Sequence, residues 1–174
     1  VIIYTIGHST RSLEDLIASL HAYDVTQLAD IRTIPKSRRH PHFSTEALAA
    51  SLPAAGIAYR HVRTLGGLRK PRPDSRNSAW RHPSFRGYAD YMETAAFAQG
   101  LDELMEWAAG ATTAMMCAEA VWWRCHRQLV ADALVARGVD VRHIMSRTDA
   151  PTHRLTEFSR VGADLRVTYP GLIL

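Results

Sequence analysis

Cysteine is scarce in this chain: there are two in 174 residues, Cys117 and Cys125. So few thiols cannot build the cross-linked framework of a small secreted domain, and their spacing is not the C-x-x-C of thioredoxin-like sites. Long apolar runs are missing as well. Nothing approaches the roughly 20 residues that cross a bilayer, so no membrane partner is expected. The opening VIIYTIG has no basic stretch before it, and no signal peptide is expected. Repeats, low-complexity tracts and linker-like segments are also absent. Apolar residues at 47% and charged residues at 22% exclude wholesale disorder. The expectation is a cytoplasmic protein with one domain over residues 1–174, long enough to bury a core.

Acidic residues are thin in two stretches. Residues 32–42 hold four Lys/Arg and no acid, and residues 60–86 hold eight Lys/Arg against Asp74 alone, although the net charge is only +4. Basic charge gathered in loop-like sequence points to an anionic partner, either a small phosphorylated molecule or a nucleic acid. Solvated surface arginines are the plain alternative.

Periodicity supplies the elements. Residues 1–6, 25–31, 57–62, 114–118 and 139–145 are short, β-branched or apolar runs that read as strands. Between them lie helical patterns at 13–21, 46–54 and 85–107, and one with Leu129, Val130, Ala133 and Leu134 as its stripe that starts around Cys125 and His126 and stops at Gly138. Ser12 with Asp15 forms an N-terminal cap for the first, Ser44 caps the second, and Gly56 ends it. Residues 65–83 are rich in Gly, Pro and Arg and read as a long functional or mobile loop. Residues 147–174 suggest a short helix and an edge extension. Strands alternating with helices predict a three-layer α/β domain, with a mostly parallel sheet of about five strands and helices on both faces.

In such a sheet, ligands bind beyond the C-terminal ends of the strands. The first strand would bring His8 and Ser9 there, and the second Arg32 and Arg38. The fourth would bring Cys117, Glu119, Arg124, Cys125, His126 and Arg127. Three chemistries compete for this set. A phosphatase-like Cys117 is disfavoured, since six residues rather than five separate it from Arg124 and the loop lacks glycine. Zinc could be held by Cys117, Cys125 and His126, but C-x7-C-H is a poor ligand spacing, and neighbours at a helix start diverge by about 100°. The third is anion capture, with Ser9, Arg32, Arg38, Arg124 and Arg127 binding and Glu119, His126 and His8 as acid/base groups. Trp122-Trp123 could stack on a ring or simply pack.

The segments TIGHST, DIRTIP followed by SRRHPHF, LGGLR, FRGYADYM, CAE and CHR occur in that order. Together they resemble the family called domain of unknown function 488, over Ile6 to about His153. The resemblance implies a single α/β domain, and the family's Cys and His residues have suggested metal binding. It marks Gly7, His8, Ser9, Asp30, Arg32, Pro35, Cys117, Glu119, Cys125, His126 and Arg127. Trp122-Trp123 stands where the family usually has a proline. The reading taken is an enzyme acting on a small anionic substrate such as a nucleotide or phosphorylated metabolite. No metal is assigned and the cofactor is left unknown. The alternatives are a nucleic-acid-binding module using basic loops 32–42 and 60–86, and a zinc-binding protein using Cys117, Cys125 and His126.

Overall fold

The structure is a computed structural model, and it describes residues 1–36 and 38–171. Five parallel strands form the sheet: β1 (Ile2–Gly7), β2 (Gln27–Asp30), β3 (Ala58–His61), β4 (Thr113–Cys117) and β5 (Asp140–His143), in the order β3-β2-β4-β1-β5. β4 is buried at every position, as a central parallel strand covered on both faces should be.

Helices α1 (Leu13–His21) and α2 (Thr45–Ala54) cover one face. There Leu16, Leu20, Leu48 and Leu52 meet Ile6, Leu28 and Met116. Helices α3 (Pro83–Tyr91), α4 (Ala95–Ala108) and α5 (Arg127–Ala136) cover the other, packing Tyr88, Phe97, Leu101 and Leu129 on Ile3, Ala29 and Met115. The helices that follow β1 and β2 thus lie opposite the one that follows β4, which sits between those strands. Adjacent strands with connections leaving to opposite faces open a crevice at their C-terminal ends.

Local chemistry sets the helix boundaries. Ser12 accepts from the Asp15 amide and Ser44 from the Ala47 amide, as the cap patterns predict. Gly56 and Gly138 follow α2 and α5 at φ 78° and 83°, a conformation that other residues enter at a cost. The helix expected over 85–107 is two helices. Thr94 caps α4 by accepting from the Phe97 amide, so the chain breaks at 92–94. Gly100 makes no break; a Cβ there would lie 2.5 Å from Thr64 Oγ1, so its role is close approach.

Two further expectations are corrected. Residues 147–171 contain no helix. They run as irregular chain with a small antiparallel pair, β6 (Arg160–Val161) and β7 (Val167–Thr168). Polar groups on α5 and before α3 hold this tail: Tyr169 donates to Asp132, Thr156 N–H donates to Asp132, and Tyr169 N–H donates to Asn77. Residues 172–174 lie outside the described residues. The loop 65–83 is also more fixed than its composition suggests. Asp90 accepts from Ser75, Asn77 and the Arg72 amide, Glu93 pairs with Arg72 and Arg76, and Arg69 stacks 3.6 Å over the Tyr91 ring. Among the described residues no helix is long and apolar enough to cross a membrane.

Candidate functional site

At the C-terminal ends of β2 and β4 lies a cleft of about 600 Å³. One wall is the segment after β4, with Cys117, Glu119, Arg124, Cys125 and His126. Arg32, Thr33 and Ile34 after β2 form a second side, and Gly67, Leu68, His82, Phe85 and Tyr88 close the third. Ile34 and Leu68 stand 61% and 81% exposed, so the mouth has apolar lips.

The wall after β4 is held at its back. Gly7 ends β1 against the Glu119 carbonyl, so closely that a Cβ there would collide with that backbone. His8 and Ser9 amides donate to the Cys117 and Ala118 carbonyls, and Ser9 takes φ 47° to do so. From below, Arg127 donates to the Glu119 and Ala120 carbonyls at 3.1 and 3.5 Å. Arg127 is 1% exposed, and burial pulls its pKa down to about 10. Arg127 therefore props the wall and does not line the cleft.

Arg32 does line it, but its fork is already engaged. It meets Asp30 through two N–H bonds of 2.9 and 2.7 Å, donates to the Phe43 carbonyl, and reaches His8 Nε2 at 3.3 Å. Tyr59 adds a 2.6 Å bond to the same Asp30 carboxylate. Since Arg32 can only donate, His8 Nε2 accepts, and its Nδ1–H goes to the Ser9 carbonyl at 2.9 Å. Both ring nitrogens are spent, and burial lowers the His8 pKa to about 4. Here His8 positions Arg32. Neither Ser9 nor Arg38 is on the cleft lining.

Arg124 and Glu119 behave differently. Both are exposed side chains on the lining, and neither has an ion-pair partner among the described residues. Sequence places them five residues apart in one wall, yet they do not pair with each other.

At the floor, the Cys117 and Cys125 sulfurs are joined, with Cα atoms 7.6 Å apart. Cys125 is not in a helix. It follows a 3-10 turn (Trp122–Arg124) in extended conformation, φ −132° and ψ 150°, and α5 starts two residues later. Its sulfur accepts from the Arg127 amide at 3.4 Å. His126 donates through Nε2 to the Ile31 carbonyl at 2.9 Å, which leaves Nδ1 with a lone pair 3.7 Å from the same sulfur. Burial lowers the His126 pKa to about 4. The sulfurs bond each other and do not converge on an ion. Among the described residues no group of three or more His, Cys, Asp or Glu is arranged to hold one. This donor set, as arranged, does not fit zinc.

Sequence reasoning brought Arg32, Cys117, Glu119, Arg124, Cys125 and His126 to one edge, where the cleft unites them. It missed the opposite wall. LGGLR and FRGYADYM carry Gly67, Leu68, Phe85 and Tyr88, and Leu68, at φ 60°, stands exposed at the mouth. Trp122 does not line the cleft; it stacks on His143 with ring centroids 4.5 Å apart. The basic stretch 60–86 spends Arg69, Arg72 and Arg76 on internal contacts.

A family model described as "Domain of unknown function DUF488" matches residues 12–134. No curated protein matches the chain, and no solved structure does.

Proposed function

The chain belongs to the DUF488 family, and from its strand-end cleft we propose that it is an enzyme acting on a small molecule with one anionic group joined to an apolar or planar body. The observation carrying this reading is the unpaired Glu119 and Arg124 on one wall of a cleft whose other sides carry Ile34, Leu68, Phe85 and Tyr88. Two opposite charges that line a pocket without neutralising each other leave one for binding and one for proton transfer.

Arg124 is the group for the anion, a phosphate or carboxylate. Ile34, Leu68, Phe85 and Tyr88 take the body of the substrate. Glu119, open to solvent at the rim, serves as the general acid/base. Arg32 and Arg127, assigned to the anion from sequence, act as rigid supports: one is neutralised by Asp30, the other props the wall.

Thermal-shift screening of nucleoside monophosphates, sugar phosphates and aromatic carboxylates tests this. Binding should vanish in Arg124→Ala and survive in Glu119→Gln, while turnover of the bound compound should be lost in Glu119→Gln. If binding survives Arg124→Ala, fails in Arg38→Ala/Arg39→Ala, and is tightest for DNA or RNA at physiological salt, the protein is a nucleic-acid binder instead.

A further inference from the structure

The paired sulfurs at the cleft floor take no part in the acid/base reading, and their surroundings are unequal. Cys125 Sγ accepts from the Arg127 amide, at the start of a ten-residue helix, at 3.4 Å, with the His126 Nδ1 acceptor farther off at 3.7 Å. Cys117 Sγ faces an acceptor, the Glu119 carbonyl, at 4.0 Å. A donor and a helix N-terminus favour a thiolate, whereas a carbonyl favours a protonated thiol. The cysteines are 2% and 4% exposed, yet both line the cleft, so a slender reagent entering it meets sulfur at the floor.

We infer that Cys117 and Cys125 form a dithiol–disulfide couple that exchanges with low-molecular-weight disulfides entering this cleft, with Cys125 the attacking thiolate and Cys117 the resolving thiol. In the reduced protein the Cys125 thiolate attacks one sulfur of the external disulfide RSSR. A Cys125–S–S–R bond forms, the R–S–S–R bond breaks, and RS⁻ leaves. Cys117 then attacks Cys125 Sγ, forming the intramolecular bond, and its proton goes to the second departing thiolate. The protein is oxidised by two electrons, and one RSSR becomes RSH and RS⁻. His126 Nδ1 beside Cys125 acts as a positioning group, turned toward the sulfur by the bond from Nε2 to Ile31. The inference rests on the proposed cleft as the access route, but not on its acid/base chemistry.

Two probes separate the two readings: oxidised glutathione, which carries carboxylates, and uncharged bis(2-hydroxyethyl) disulfide. Reduced Cys117→Ser protein should trap a mixed disulfide on Cys125 with either probe, read by intact mass and peptide mapping. Cys125→Ser should react at least about tenfold more slowly. Arg124→Ala should slow reaction with oxidised glutathione about two- to fivefold and leave the uncharged probe unaffected. No slowing with either probe in Arg124→Ala would overturn Arg124 as the anion group, while trapping on Cys125 would still support the couple. Should the serine variants fold poorly, rapid acid quench of the wild-type protein with limiting oxidised glutathione reads which cysteine is first modified. Both thiols remaining free after excess oxidised glutathione, or the mixed disulfide collecting on Cys117, would overturn the proposal.

Discussion

His153 Nε2 lies 2.8 Å from the Asp132 carboxylate, with both side chains fully buried. A chain of polarised bonds extends from this pair. Since Asp132 accepts, His153 Nδ1 is bare and takes the Nε2–H of His143 at 2.9 Å, and His143 Nδ1 takes the Thr5 hydroxyl at 2.6 Å. The chain ties β1, β5, α5 and the irregular tail together.

Asp132→Ala should therefore cost about 3–5 kcal/mol, because it strands His153, Tyr169 and the Thr156 amide at once. Asp132→Asn keeps an acceptor and should cost less. Urea denaturation measures both, and an alanine variant within about 0.5 kcal/mol of the parent would refute the network's role.

Acid should destabilise the fold well before its carboxylates protonate. Burial lowers His8 and His126 to about 4 and His143 to about 3 from an ordinary 6.5. Between those values the unfolded chain binds protons that the folded one refuses, so stability is full above about pH 6.5 and falls as pH drops toward 4. The slope approaches about 1.4 kcal/mol per pH unit for each such histidine. His143→Gln should flatten it. An unchanged urea midpoint from pH 7.5 to 4.5 would contradict the burial of these rings as neutral groups.

Arg32 and Arg124, both assigned to the same anion from sequence, should part company on mutation. Arg32→Ala leaves the buried Asp30 carboxylate with only Tyr59 and the residue-32 amide and without its cation, and should cost roughly 3–5 kcal/mol. Arg124→Ala, at an exposed position without an ion pair, should stay within about 0.5 kcal/mol of the parent. Equal losses in thermal or urea unfolding would mean that Arg124 is structural too.

Gly7→Ala should damage the cleft although Gly7 itself is not on its lining. The added methyl collides with the Glu119 carbonyl, so either the wall after β4 shifts or β1 gives way. Overpacking of this kind costs about 1–3 kcal/mol. Ligand-induced thermal shifts should shrink along with stability, and a normal ligand response would show that the wall tolerates displacement.

Much of this architecture was readable from local chemistry. The first helix was expected over 13–21 and runs over those residues, because Ser12 and Asp15 mark its start and the leucine stripe its face. Gly56 and Gly138 announced their helix ends for the same reason. What failed was non-local. Thr94 begins a new helix inside an apolar pattern that continues on both sides, so periodicity alone joins α3 to α4. The tail after residue 147 is ordered by Asp132 and Asn77, partners that no window of sequence contains. At the cleft, clustering at strand ends was legible, but the partition into buried supports and exposed lining groups was not. Arg32 and Arg124 look alike in sequence and differ because Asp30, Phe43 and His8 converge on the first. The sulfur pairing needed an extended Cys125, which the expectation of a helix start there had hidden.

The pinned segment 65–83 has a consequence for proteolysis. Arg69, Arg76 and Arg81 offer trypsin sites along it, whereas Lys70 and Arg72 are each shielded by a following proline. A protease, however, needs several residues of backbone drawn out into its own groove. Here the Arg72 amide is held by Asp90, two arginines are clamped by Glu93 and Arg69 lies flat on Tyr91, so extraction requires loosening α3 as well. The native protein should resist nicking across this stretch, and should become sensitive there once Asp90 is replaced.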